Sequence, residues 1–362
     1  PRFIYADTDF NDLDKLENFC DLRVIKLGHN YTKGKGAYGN PEVGKAVVKK
    51  NSLLFKNSLP RGSSCAFILA GLGGGTGSGG ASEVAKIGRE SGIFTIAILA
   101  EPADINPKSG ELAIANRSIQ EIKKEADGVI LIPNKELGML VDEHEPLKPL
   151  KPLKPFYEHE PLRNKYTTKA GVAVETLTRL LSNHNQAWIK ALKVPGIPIP
   201  PSDIKSFFSG NNVVRLGSSK GHMGNLQSVI SQASDNLRFD LRLAKKILVC
   251  MSGIQLDPCS NAEDNIDTFN DWINEVEGII KMECRGGVKI ITGFDNFADN
   301  FPNDKSPGTS KEDWEKIKMS WDITVTIFAS FAYTPESTLS FNEFDEKTPD
   351  LESEKEKELV RV

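Results

Sequence analysis

The sequence predicts an α/β fold: a parallel sheet covered by helices on both faces, a long helix, and a second, smaller α+β unit. Three features carry that reading. Up to about residue 137, continuous apolar runs at 22–27, 66–70, 94–99 and 129–132 alternate with stretches of helical spacing. That is the pattern of parallel strands buried on both faces. The run GLGGGTGSGG at 71–80 separates one such strand from a helix. A chain of 362 residues, 39% hydrophobic and 26% charged, is long enough to bury two cores. In such sheets ligands sit at the carboxyl ends of the strands, where residues 7–9, 71–79 and 101–107 would lie.

The glycine run has the layout of a phosphate cradle. Residues without Cβ let successive backbone N–H groups converge on an anion, and the N-terminus of the next helix adds partial positive charge. The run does not match G-x-x-x-x-G-K-[ST], since Thr76 and Ser78 have no lysine beside them. Nor does it match G-x-G-x-x-G with a later acidic residue. A flexible glycine linker is a poor alternative, because the run stands between two strongly patterned elements.

GGGTGSG resembles the signature loop of the tubulin and FtsZ superfamily of GTPases, whose core is a Rossmann-like parallel sheet. The stretch TKGKGAYGNPEVG at 32–44 is similar to the FtsZ loop that closes over the terminal phosphate, and Ala6-Asp-Thr-Asp9 to the family's second loop. Residues 121–137, including ADGVILIPN, are similar to a helix and strand further on. The resemblance covers about residues 1–335 and points toward FtsZ more than eukaryotic tubulin. It implies GTP or GDP as ligand, with Mg2+. Phosphate contacts would come from Gly73, Gly74, Gly75, Thr76, Gly77 and Ser78 and from the loop of Gly36, Ala37, Tyr38 and Gly39. The family's base-reading carboxylate falls at Glu175, whose other reading is an exposed helix glutamate, and its stacking aromatic at Ala170, with Tyr166 nearby. On the ribose side, Asn106 falls near the family's glutamate and Glu111 near its arginine.

Hydrolysis in that family is split between subunits of a head-to-tail filament. Its Asn-x-Asp-x-x-Asp pattern is reduced in PIPPSD at 198–203 to the final acid, Asp203. This residue would orient a water in the neighbouring subunit; the alternative is that Ser202 or Asp203 caps a helix. The implied use is a slow filament-forming cytoskeletal GTPase of cell division. A nucleotide-binding scaffold with little turnover, or a plasmid or phage segregation filament, are the other readings. The chain opens at Pro1 without an initiator Met, while FtsZ has an earlier strand and a first glycine-rich loop. It is therefore expected to be either a fragment whose start completes the pocket or a shortened relative with impaired binding.

The expected organisation is a GTP-binding domain at 1–140, a Pro-rich insertion at 141–166, a central helix at 167–193, a second α/β domain at 194–335 with an acid-bearing loop at 197–204, and a flexible tail at 336–362. The insertion carries LKPLKPLKP at 147–155; proline at every third residue favours an extended arm. A metal site can be drawn there from His144, Glu145, His159 and Glu160, but two histidines 15 residues apart in such an arm are better read as solvated. Apolar positions Ala173, Leu177, Leu180, Leu181, Trp188 and Leu192 form the stripe of the central helix, with His184 as a packing residue on it. Strands are expected at 213–216, 246–252, 288–292 and 323–331, with a helix at 266–280; the alternation of the last strand predicts one face in solvent.

A net charge of −4 without a basic block argues against direct nucleic-acid binding, and no apolar run reaches the ~20 residues of a membrane span. The expected partners are copies of the chain itself, plus an adaptor protein on the tail or the proline arm. Five scattered cysteines without C-x-x-C suggest a reduced, cytoplasmic setting, with Cys65 and Cys250 as small core residues.

Overall fold

A computed structural model describes residues 3–14, 22–102, 110–133, 169–181, 199–254, 262–297 and 322–333. Strands β1 (Phe3–Asp7) and β2 (Leu22–Lys26) pair in parallel as a separate two-stranded sheet. Three short elements lie around and after them: α1 (Phe10–Asp14), α2 (His29–Thr32) and α3 (Pro41–Lys50). The last begins as its sequence dictates, with Asn40 as N-cap accepting from the Glu42 N–H at 3.0 Å and proline in the first turn. It leads through Asn51 directly into α4 (Ser52–Ser58).

From there β3 (Cys65–Gly71), α5 (Thr76–Glu90), β4 (Phe94–Glu101), α6 (Gly110–Glu125) and β5 (Gly128–Pro133) form two successive βαβ units. Then come α7 (Lys169–Leu181), α8 (Pro201–Phe208), β6 (Asn212–His222) and α9 (Leu226–Asp235). Strand β7 (Lys246–Ile254), α10 (Ala262–Glu283), β8 (Lys289–Phe297) and β9 (Asp322–Ala332) complete the described elements.

Seven strands make one sheet, ordered β3-β4-β5-β6-β9-β7-β8. Strand β6 adjoins β5 in parallel through the register pair Ile130 and Val214, and β9 runs antiparallel to both β6 and β7. Alternation along β4 and β5 sorts the core. Ala97, Leu99, Val129 and Leu131 pack with Ala81 of α5 and with Ala115, Ile119 and Ile122 of α6. Ile96, Ile98, Ile130 and Ile132 face the other way, onto Ala173, Leu177 and Leu180 of α7 and Ile204, Phe207 and Phe208 of α8. That second cluster continues into Val214, Leu248 and Phe328, so the strands expected to found a separate core share one with the first unit. A further cluster belongs to the second half alone, with Ile247, Val325 and Ile327 under Ile230 of α9 and Phe269 and Val276 of α10.

Expectation and structure part at β9. Its alternation predicts a solvent face, yet Val325 through Phe331 is buried or nearly so at every position, with Thr326 2% and Ser330 1% exposed. The strand is central in the sheet and covered on both faces. Its small hydroxyls are taken inside, Thr326 sharing a 3.1 Å hydrogen bond with Ser218 of β6. Of the long helix expected at 167–193, Lys169–Leu181 is helical, and the remainder, with His184 and Trp188, lies outside the described residues. The proline arm with its His/Glu candidates and the tail lie outside them too. Among the described residues no helix is long and apolar enough to cross a membrane.

Candidate nucleotide-phosphate site

The carboxyl end of β3 runs into the glycine loop and then into α5, whose N-cap is Gly75 and whose first turn carries no side-chain cap. The leading N–H groups of that helix are therefore left for an outside acceptor. Within the loop, Gly73 adopts φ +96° and donates its N–H to the Ser78 hydroxyl at 2.9 Å, which folds the loop back on the helix. Gly77 lies so close to β3 that a Cβ there would stand 2.1 Å from the Gly71 carbonyl oxygen. Gly74, by contrast, has open space on its Cβ side. The helix is seated by close backbone approach while the crest of the loop stays clear.

Two other segments converge on this crest. Thr8, fully buried after β1, shares a 2.6 Å hydrogen bond between its hydroxyl and that of Thr76. Its carbonyl accepts from the Gly36 N–H at 3.0 Å, tying the 36–39 loop to the end of β1. On the far side of that loop a Cβ on Gly75 would lie 2.7 Å from the Ala37 Cβ, and one on Gly79 would lie 1.8 Å from the Pro41 carbonyl. Gly36, Tyr38 and Gly39 all have positive φ, at 80°, 52° and 70°. Segments 6–9, 36–40 and 71–78 thus meet at one place, bringing backbone N–H groups and the Thr8 and Thr76 hydroxyls together. Lys45 nearby is committed elsewhere: its ammonium donates to Glu121 of α6 at 2.7 Å, which holds its pKa above the usual lysine value.

The remaining sequence-predicted residues are dispersed. Asn106 lies outside the described residues. Glu111 stands at the start of α6, its Cβ 3.2 Å from where a Gly73 side chain would begin. Glu175 is exposed on α7 and ion-pairs with Arg179 one turn on. Asp203 sits in the first turn of α8, whose N-cap is Pro200 with no side-chain cap bond, so neither it nor Ser202 acts as the cap. Helix α8 is docked at the amino ends of the strands: Phe208 abuts Gly128 of β5, the Lys205 ammonium lies over the Phe94 ring at 5.6 Å, and Lys246 of β7 donates to the Ser206 and Ser209 carbonyls. The glycine cradle is at the opposite, carboxyl ends.

Sequence reading placed residues 7–9 at the ligand ends of the strands but gave Thr8 no role of its own, and its link to Thr76 was not foreseen. It also missed the polar cluster beside the site. There Glu101 at the end of β4 forms a 2.7 Å ion pair with Arg215 of β6, with side chains only 9% and 4% exposed. The Tyr333 hydroxyl next to it donates to Asn116 at 2.6 Å, and burial raises its pKa. No motif marks that cluster, because its members come from four distant segments.

An uncapped glycine-rich helix at the carboxyl ends of a largely parallel sheet is an arrangement suited to holding an anion in an α/β protein. Residues 1–142 match the family described as Tubulin/FtsZ family, GTPase domain. The chain is 40% identical over 136 residues to the cell division protein FtsZ of Buchnera aphidicola subsp. Acyrthosiphon pisum, covering 38% of this chain and 34% of that protein. It is 37% identical over 136 residues to FtsZ of Neisseria gonorrhoeae, covering 38% and 33%. The match thus spans about a third of these relatives' length. A mutant FtsZ of M. jannaschii shares the fold with TM-score 0.56 at 21% identity, over 91% of this chain and 82% of that one. So does a GTPγS-bound protofilament of CetZ2 from Haloferax volcanii, with TM-score 0.56 at 17% identity, over 95% and 88%.

Proposed function

We propose that the chain binds a guanine nucleotide in this cradle and hydrolyses GTP in a head-to-tail filament, in a cytoskeletal task such as cell division. The observation that carries the reading is the uncapped N-terminus of α5 with Thr8, Thr76 and the 36–39 loop gathered over it. The phosphates would rest on the N–H groups of residues 74–77 and the Thr76 and Ser78 hydroxyls, the Gly73 N–H being taken up by Ser78. Glu175 would accept from the guanine N1–H and N2 amine, which requires it to leave or share its pairing with Arg179. Asp203, at the other end of the sheet from its own cradle, would orient the attacking water at the nucleotide of the next copy.

Mg2+ suits the oxygen donors at this place. Hydroxyls of Thr8 and Thr76 meet there, and Asp7 and Asp9 stand alongside, the Asp7 Oδ1 accepting from the Thr8 and Asp9 N–H groups and the Asp9 Oδ1 from that of Asn11. When bound it would neutralise developing phosphate charge. Base, hydroxyl and water positioning remain with the residues named above.

Titration calorimetry with the full chain tests the ligand: GTP or GDP should bind and ATP should bind more weakly, whereas equal affinity or no binding removes the guanine assignment. For the reaction, the rate per molecule should rise with protein concentration, and Asp203→Ala should lower it while nucleotide affinity is kept. The pairing of Glu175 with Arg179 favours a second reading, a nucleotide-binding scaffold with little turnover. A rate independent of concentration and of Asp203 would select it.

A further inference from the structure

Helix α8 carries Asp203, yet its own leading end does little to fix where that residue stands. Pro200, the N-cap, makes no side-chain cap bond, and Pro201 follows it without an N–H. Asp203 is half-buried, and among the described residues no hydrogen bond or ion pair holds its carboxylate. Its backbone N–H goes to the Pro200 carbonyl at 2.9 Å. Ile204, Phe207 and Phe208 press the helix onto the cluster that holds Ile130, Val214 and Leu248. Apolar contact of this kind is non-directional, so it keeps the helix against the sheet without setting its position along its own axis.

The directional polar contacts gather at the other end. Lys246 is the first residue of β7, and its ammonium donates to the carbonyls of Ser206, Phe207 and Ser209, the last two at 3.4 and 3.0 Å, and to the Ser209 hydroxyl at 3.2 Å. Strand β7 lies between β9 and β8, with Lys246 in register with Ser330 and Lys289, so the base of this side chain is held from both sides. Charge-assisted bonds to carbonyls fix distance and direction together. The helix is about two turns long and moves as one piece. Asp203 stands one turn before Ser206, so whatever fixes the last turn also fixes the acid.

We infer that Lys246 is a positioning residue for hydrolysis: by gathering the carbonyls of the last turn of α8, it sets the place of Asp203 at the nucleotide of the next copy. The inference rests on the proposed role of Asp203 and adds the group that holds this acid in register. Lys246 touches neither nucleotide nor water; it acts through the helix alone.

Steady-state GTP hydrolysis by the full chain tests it, at a protein concentration where the parent's rate per molecule has levelled off and at a temperature well below the unfolding of each variant. Lys246→Met should lower kcat about tenfold, with KM and calorimetric nucleotide affinity unchanged, because a displaced acid orients the water poorly while the cradle is untouched. The double variant Asp203→Ala/Lys246→Met separates positioning from general weakening. It should be no slower than Asp203→Ala alone, since the lysine has no other route to the reaction. Should Lys246→Met fail to fold, Lys246→Gln, which keeps an N–H donor of shorter reach, takes its place in the same cycle. A lysine variant as fast as the parent, or a double variant slowed below Asp203→Ala by the full factor of the lysine change, would overturn the inference and leave Asp203 in its role. An Asp203→Ala variant as fast as the parent would instead remove the reading of Asp203, and the inference with it.

Discussion

Gly74 and Gly79 are five residues apart in the same glycine-rich run, yet their surroundings ask different things of them. A Cβ on Gly79 would be 1.8 Å from the Pro41 carbonyl and 2.8 Å from the Lys45 nitrogen, both backbone atoms of α3 that cannot turn aside. Gly74 meets nothing within 4 Å and has no positive φ. Gly79→Ala should therefore separate α3 from α5 and cost about 1–3 kcal/mol in denaturant unfolding, the range for overpacking. Gly74→Ala should leave the unfolding midpoint within experimental error and weaken phosphate binding, since its methyl enters the space over the loop. If Gly79→Ala proved as stable as the parent, the close seating of α3 on the cradle helix would be wrong.

Helix α8 is short, and its hold on the sheet comes from outside itself. Phe207 is fully buried, and the Lys246 ammonium gathers carbonyls from its last turn, with Ser209 O at 3.0 Å and Ser209 Oγ at 3.2 Å. Lys246→Met should destabilise the protein by about 1–2 kcal/mol in chemical denaturation, toward the low end for charged hydrogen bonds because the group keeps solvent access. Burial, and then the charge of Lys289, hold the pKa of Lys246 below its usual value. The unfolded chain therefore binds this proton more readily than the folded one. Between the lowered folded pKa and about 10.4, the parent should gain stability with rising pH relative to Lys246→Met. A parallel pH dependence of the two would remove Lys246 from that role. At this scale sequence and structure agree where the signal is local: runs at 66–70, 94–99 and 129–132 are strands because continuous apolar runs suit a sheet covered on both faces. The strand, glycine loop and helix at 65–90 were legible for the same reason, being contiguous. Strand β9 misled because Thr326 and Ser330 look solvent-facing, while Thr326 finds the Ser218 hydroxyl inside and Ser330 is small enough to pack there. Neither the Lys246 cap nor the Thr8–Thr76 link was legible, since each joins segments far apart in the chain.

Whether the molecule behaves as one body or two turns on the junction of β5 and β6. The sequence favours two units, because a proline-rich stretch and a long helix stand between the βαβ repeats and the later strands. The structure instead continues the sheet across the junction and runs one apolar cluster from Ile96 and Ile130 to Leu248 and Phe328. Buried across the same junction is the pair of Glu101 on β4 with Arg215 on β6. Shared burial of this kind couples the halves, so calorimetric unfolding should be a single transition with calorimetric and van't Hoff enthalpies in agreement. Arg215→Met would leave the Glu101 carboxylate buried without its cation, a loss of about 3–5 kcal/mol, and should lower the whole transition without splitting it. Replacing both partners, as in Glu101→Leu/Arg215→Met, should recover much of that loss, because no uncompensated charge then remains inside. Two resolved transitions in the parent, or an Arg215→Met variant in which only one half melts early, would show instead that the halves are stabilised separately and that the continuous sheet contributes little to their cohesion.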